Sequence, residues 1–225
     1  MPAPDAPVLG VDGCRGGWLA ARVRGDDRMA RLVGWALGRF AEVLDGGAEP
    51  DEVVAVDIPV GLPATGRRAC DVAGRAALGG TAASRLFFAP PRYALDAPDL
   101  ATANDLLRAR GEPGMSAQTY ALRAAVLEVA TADLPVCEVH PDLSFTAMTG
   151  HVLASKHTAT GVQERMDALA GWTDVRSAVS SAPARVGVDD VLDALVAAWT
   201  ATRIRSGRAI TYPAGAAHGA PRIRA

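Results

Sequence analysis

The chain has 225 residues, 49% hydrophobic and 21% charged, with 15 Pro, 23 Gly and three Cys. A chain of this length and apolar content buries about 70% of its unfolded surface, which excludes a disordered protein, and three Cys are too few for a disulfide scaffold. A formal net charge of -2 excludes coating of nucleic acid by bulk charge, though not a local basic groove.

The opening Pro/Ala stretch, residues 1–7, reads as a flexible tail. Val8 to Val11 is an apolar run ending at Asp12-Gly13, and Trp18 to Val23 is a second one after Gly16-Gly17. A turn over Arg24-Gly25-Asp26-Asp27 leads into a third strand from Met29 to Leu37, so the three form an antiparallel meander. Phe40 to Leu44 begins a short helix that stops near Gly46-Gly47. Val53-Val54-Ala55-Val56, apolar on both faces between Glu52 and Asp57, suits a central strand of a covered sheet.

Helices are expected over Arg67 to Leu78, over Asp99 to Arg110 with Asp99 as N-cap, and over Ser116 to Ala130 capped by Ser116. Between the first two, Leu86 to Asp99 carries Pro90, Pro91 and Pro98 and reads as irregular. A fifth strand covers Val136 to Val139 and ends at His140-Pro141. Gly161 to Leu169 and Asp189 to Ile204 are helical; in the latter, Val191, Leu192, Leu195, Val196 and Trp199 form the apolar face. Residues 214–225 read as a second flexible tail. The order predicts an α/β domain over residues 8–213: a mixed sheet covered on both faces, with strands one, four and five parallel. A helical, Pro-rich insertion separates strands four and five.

No run of 18 apolar residues suggests a membrane span, and Met1-Pro-Ala-Pro-Asp-Ala-Pro7 lacks the basic start of a signal peptide. The expectation is a cytoplasmic protein with no membrane partner and with Cys14, Cys70 and Cys137 as free thiols. Lys156 is the single lysine among 23 basic residues, which suggests a position that needs a compact ammonium.

The chemistry lies in the acids. Asp12 and Asp57 each sit where an apolar strand meets a Gly or Pro turn, and neighbouring parallel strands would bring their ends about 4.8 Å apart. Open sheets place ligands at such ends. Glu138 ends the fifth strand in the same way, and Asp190 and Asp193 share one face of the last helix. Two bare carboxylates about 4 Å apart repel by about 4 kcal/mol at an effective dielectric near 20, so they share protons or cations. Three or more converging oxygens favour Mg²⁺ or Mn²⁺, and a pair of such ions is the clamp for in-line phosphoryl transfer. Each acid also has a plain reading: a turn residue at Asp12, a paired strand end at Asp57 and Glu138, a helix-start charge at Asp190 and Asp193.

Several segments resemble the DUF429 family, predicted nucleases of the ribonuclease-H-like superfamily. They are Gly10-Val-Asp-Gly-Cys-Arg-Gly-Gly-Trp18, Asp57-Ile-Pro-Val-Gly-Leu-Pro63, Arg68-Ala-Cys-Asp71 and Glu138-Val-His-Pro-Asp-Leu-Ser-Phe145. Ser155-Lys156, Gly161-Val-Gln-Glu-Arg165 and Asp189-Asp-Val-Leu-Asp-Ala194 continue the series. The resemblance implies a ribonuclease-H-like sheet in the order 3-2-1-4-5. It also implies acids on the first strand, the fourth strand and the last helix, matched by Asp12, Asp57 and Asp193, with Glu138 and Asp190 as extra acids. Two divalent ions and hydrolysis of a nucleic-acid or small phosphodiester would follow. Asp142 stands where the family more often has Glu.

Within that reading Lys156 holds the scissile phosphate or orients Glu138, and His140 shuttles a proton or hydrogen-bonds a metal-bound water, with a structural histidine beside Pro141 as its plain reading. Arg15, Arg67, Arg68, Gln118 and Arg165 are candidate substrate contacts. Cys14 lies beside the acids but lacks a His base for thiol chemistry. Two other readings stay open. Gly10-Val-Asp-Gly with Gly16-Gly17 also resembles the phosphate loop of the sugar-kinase and actin-type phosphotransferases, although 225 residues hold only one such domain. A non-catalytic binding protein on a nuclease-like fold is the other. Oligomeric state is not encoded in any of these signals.

Overall fold

The computed structural model describes residues 6–45, 52–132 and 135–225. Strands β1 (Val8–Cys14), β2 (Gly17–Gly25) and β3 (Ala30–Gly38) pair antiparallel in succession. The Asp26 carboxylate closes the second turn by accepting from the amides of Arg28 and Met29, 2.8 and 3.0 Å away. Helix α1 (Phe40–Asp45) follows, and the stop expected at Gly46-Gly47 lies outside the described residues. Strand β4 (Val53–Val56) pairs parallel with β1, and β5 (Val136–Glu138) pairs parallel with β4. The sheet order β3-β2-β1-β4-β5 is the one the family resemblance implies.

The connection from β4 to β5 holds α2 (Ala69–Leu78), α3 (Arg92–Leu95), α4 (Leu100–Ala109), α5 (Ala117–Ala121) and α6 (Arg123–Thr131). Asp99 caps α4 by accepting from the Thr102 amide at 2.7 Å, and Ser116 caps α5 by accepting from the Thr119 amide at 3.1 Å. The helix expected from Ser116 onward is interrupted at Leu122. After β5 come α7 (Pro141–Thr149), α8 (Ala159–Ala170), α9 (Val175–Ser180) and α10 (Val188–Arg205). Helices α7 and α9 lie where no helix is expected from the sequence. The boundaries of α7 are legible in retrospect, because Pro141 opens its first turn and left-handed Gly150 closes it.

Period-two alternation sends Leu9 and Val11 to one face of β1, where α1 and α6 cover them with Phe40, Val43, Val126 and Val129. Val8 and Gly10 face the other side, under α10. Nearly every residue of α10 from Val191 to Thr202 is buried, so its apolar surface wraps further round than the single face expected. Gly10 explains how close this helix comes. A Cβ there would stand 2.1 Å from the Ala198 amide nitrogen and 2.2 Å from the Ala194 carbonyl oxygen. The glycine therefore serves helix packing.

The C-terminal segment differs from the flexible tail expected. Strands β6 (Thr211–Tyr212) and β7 (Ile223–Arg224) pair with each other, and Arg224 bridges in parallel to Val139 beside β5. Ile223 and Ala225 are buried with Cys70 and Leu143, so apolar burial at the very end of the chain docks it. Among the described residues no helix is long and apolar enough to cross a membrane.

Substituting Gly10→Ala is expected to cost about 3 kcal/mol or more, because the clash is with backbone that cannot rotate away. Thermal melts should then show Tm lowered by about 6–12 °C. Gly34→Ala, where an added Cβ meets nothing within 4 Å, should stay within about 0.5 kcal/mol of the parent.

Candidate functional site

The carboxyl ends of β1, β4 and β5 and the start of α10 open into one cavity of about 720 Å³. Asp12 and Asp57 reach it as neighbours, since Val11 and Val56 are Cα partners and the Asp57 amide donates to the Val11 carbonyl at 3.0 Å. Asp193 arrives from the second turn of α10, one turn beyond Asp190, and both line the same wall. Asp12 and Asp193 are almost fully buried, and Asp57 is half-buried.

Electrostatics mark this wall as strained. Burial, followed by repulsion from Asp193 and Asp57, holds the Asp12 carboxyl far above the usual carboxylate range. Burial likewise pushes Asp57 up to about 7 and Asp193 up to about 6, against the pull of Lys156. Asp190 is raised by burial and by Asp189. The counter-charge is the lone lysine: Lys156 Nζ lies 2.5 Å from Asp193 Oδ2. Burial alone would lower the ammonium's affinity for its proton, but Asp193, Asp12 and Asp57 outweigh it and keep Lys156 charged. Asp193 Oδ1 is buried and finds no hydrogen-bond partner among the described residues.

Helix α8 sets where Lys156 sits. A Cβ on Gly161 would fall 2.0 Å from the Ser155 carbonyl oxygen, so only glycine lets α8 lie against the Ser155-Lys156 turn. Glu164 accepts from the Ala154 amide at 2.7 Å, and Arg165 Nη1 donates to the Ala154 carbonyl at 2.8 Å. Arg165 Nη2 also reaches Asp142 Oδ1 at 2.5 Å, tying the turn to the start of α7.

A family model described as "Protein of unknown function (DUF429)" matches residues 10–218. The chain belongs to the DUF429 family. Among solved structures it is similar to RuvC of T. thermophilus in complex with a Holliday junction substrate. That match has 16% identity over 90% of this chain and 96% of that one, with a TM-score of 0.40. A second structure, of Thermus thermophilus RuvC, gives 17% identity over 90% and 98%, with a TM-score of 0.34. Likeness at this level says nothing about chemistry. A search of curated proteins finds no match.

The residues singled out by the resemblance divide into two groups by their contacts, although Arg68, Asp71, Glu138 and Asp142 line the same cavity. Asp12, Asp57, Lys156, His140, Asp190 and Asp193 line the acidic cavity, with exposed Arg15 and Gln118 on its rim. His140 is held neutral by burial; its Nε2 lies 3.4 Å from the Arg85 carbonyl oxygen, and its buried Nδ1 has no partner among the described residues. Because a carbonyl only accepts, Nε2 carries the proton in that contact and Nδ1 keeps its lone pair.

The second group builds the frame. Glu138, expected among the cation ligands, is instead held by Arg68, whose Nη1 and Nη2 each donate at 2.7 Å, and by the Val60 amide at 2.7 Å. The reason is register. Glu138 is the Cα partner of Val56, so it points to the face opposite Asp57, one residue further on. Arg68 lines the cavity with its guanidinium committed to carboxylates. It is buried between Glu138 and Asp71, and Asp71 also accepts from the Ala89 amide at 2.9 Å. Arg165 is withdrawn from substrate, being 1% exposed and committed to Asp142 and Ala154. Lys156 orients towards Asp193, not Glu138. Arg67 lies outside the acidic cavity, its guanidinium 3.9 Å above the Phe88 ring. Sequence reasoning missed Arg85, which lines the cavity from an irregular segment with no periodic signal.

Asp57 and Asp12 bind protons in the folded state that the unfolded chain releases near pH 4, so their ionisation lowers stability as pH rises. His140 works in the opposite direction below its unfolded value of about 6.5, which leaves pH 6.5 to 8 as the clean window. In chelator-treated protein, Tm should fall across that window by about 2–4 °C, or about 1 kcal/mol. Asp57→Asn should raise Tm at pH 8 by a similar amount and flatten the slope. Thermal melts at closely spaced pH values check this, and a Tm that rises with pH would contradict it.

Proposed function

We propose that this protein hydrolyses a phosphodiester bond of nucleic acid with the help of divalent cations, Mg²⁺ or Mn²⁺, bound at Asp12, Asp57 and Asp193. The observation that carries this reading is the meeting of acids from β1, β4 and α10 on one cavity wall beside the only lysine. Oxygen-only donors suit hard cations, and the buried, unpartnered Asp193 Oδ1 is the kind of atom such an ion satisfies. Among the described residues, no three His, Cys, Asp or Glu side chains already stand close enough to hold a metal ion. The donor set therefore fits in chemistry, and closing it requires the carboxylates to draw together as Lys156 leaves Asp193. We take residues from Val8 onward as one ribonuclease-H-like domain.

Divalent cations bound there would supply Lewis acidity to the phosphate and help generate a nucleophile at neutral pH. The chain's own groups do the rest. Asp12, Asp57 and Asp193 hold the charge in position, and Asp190 reaches in from the mouth. Lys156, once free of Asp193, offers its ammonium to a non-bridging phosphate oxygen. Neutral His140 accepts a proton at Nδ1. Arg15 and Gln118 on the rim meet the flanking chain.

One observation favours a second reading. Lys156 already neutralises part of the acid cluster, so a cation-free binding pocket is physically tenable. Calorimetry with Mn²⁺ separates the two. The hydrolase reading expects binding heat, and cleavage of at least one member of a DNA and RNA panel. Asp12→Asn and Asp57→Asn should reduce cleavage by about 100-fold or more while staying folded. No heat and no cleavage across the panel would leave the cation-free pocket.

A further inference from the structure

Beside the acidic cavity lies a second hollow of about 270 Å³, and the two share Ser84 and Phe87 as a common wall. Its character is different. Phe87, Phe88, Pro90 and Pro91 supply apolar surface, and Arg67 and Arg75 supply positive charge. Both guanidiniums lie over the Phe88 ring, 3.9 and 4.6 Å from its centroid. Arg75 is pinned by donating to the Leu86 carbonyl, whereas Arg67 is exposed at the opening. The one carboxylate in the lining, Glu112, has both oxygens within 2.8 Å of the Gly66 amide, so a local charge of two against one remains.

We propose that this hollow receives an unpaired nucleobase of the substrate, one step along the chain from the phosphate bound in the acidic cavity. The proposal rests on the phosphodiesterase reading and deepens it, naming single-stranded or locally unpaired nucleic acid as the substrate class. Three features support that choice. Aromatic rings and flat guanidiniums are the surfaces on which bases stack irrespective of sequence. The volume admits one planar heterocycle and not a stacked pair of strands. The arginines also offset the repulsion that a polyanion meets at the neighbouring acids, where Arg68 and Arg85 are already engaged with carboxylates.

The test is fluorescence anisotropy with a labelled 12-nucleotide single strand and a hairpin duplex of equal length, in chelator so that cleavage cannot interfere. The single strand should bind more tightly than the duplex. Phe87→Leu, which keeps apolar bulk but removes the ring, should weaken single-strand binding by about 5- to 150-fold at unchanged Tm. Arg67→Gln, at an exposed position, should reduce the salt slope of binding by about 0.7. Wild-type affinity in both variants, equal binding of the duplex, or no single-strand binding overturns the base pocket. If Mn²⁺-dependent cleavage persists in that case, the hydrolase reading stands without it. If the variants behave as expected but Mn²⁺ gives neither heat nor cleavage, the base pocket stands and the hydrolase reading falls.

Discussion

Backbone-to-backbone contact between β1 and α10 governs the rest of the molecule. Gly10 has no side chain to hold them apart, and Ala194 and Ala198 present only methyl groups. Close packing of this kind leaves little freedom in the depth of the helix, since interiors tolerate neither voids nor overlap. Asp193, one residue before Ala194, is thereby brought over the end of the strand that carries Asp12. A bulkier pair at this crossing would lift the helix and open the acid cluster. The acidic wall and the core are thus held by the same contact.

The site concentrates electrostatic cost while the frame beneath it is satisfied. Arg68, with Glu138 on one side and Asp71 on the other, forms a buried network in which every charged group has a partner. It anchors the Val60-Gly61 loop after β4 to the opposite face of the sheet from Asp57. Of the clustered Asp12, Asp57 and Asp193, Asp193 is ion-paired with Lys156, and their shifted proton affinities record the imbalance. Functional sites commonly hold such unfavourable arrangements, kept in place by well-packed surroundings. Here α8 adds a second brace, because Gly161 and Arg165 fix the turn that delivers the lysine.

Much of this was legible before any coordinates. Apolar runs of the right length announced β1 to β5, and Asp99 and Ser116 announced their helices by capping chemistry. Asp12 and Asp57 were readable because a charged group at the end of a buried strand needs a partner, Asp190 and Asp193 by their spacing on one helix face, and Lys156 as the lone lysine. Other features left weaker marks. Helix α7 was missed although Pro141 and Gly150 bound it, because its apolar residues follow no clean helical stripe. The short strand around Tyr212 was legible, but the docked C-terminus was missed because a strand as short as β7 carries no pattern of its own.

The sequence by itself determined the element types, the mixed sheet and the identity of the acids, since these depend on local periodicity, capping and turn chemistry. Only the tertiary structure decided which acids share a face. Glu138 and Asp57 look alike as strand-end carboxylates, yet a one-residue difference in register sends them to opposite sides of the sheet. Register comes from pairing between strands far apart in the chain, and no window of sequence contains it. The same holds for Arg68 and Arg165, whose burial depends on carboxylates that folding delivers from elsewhere.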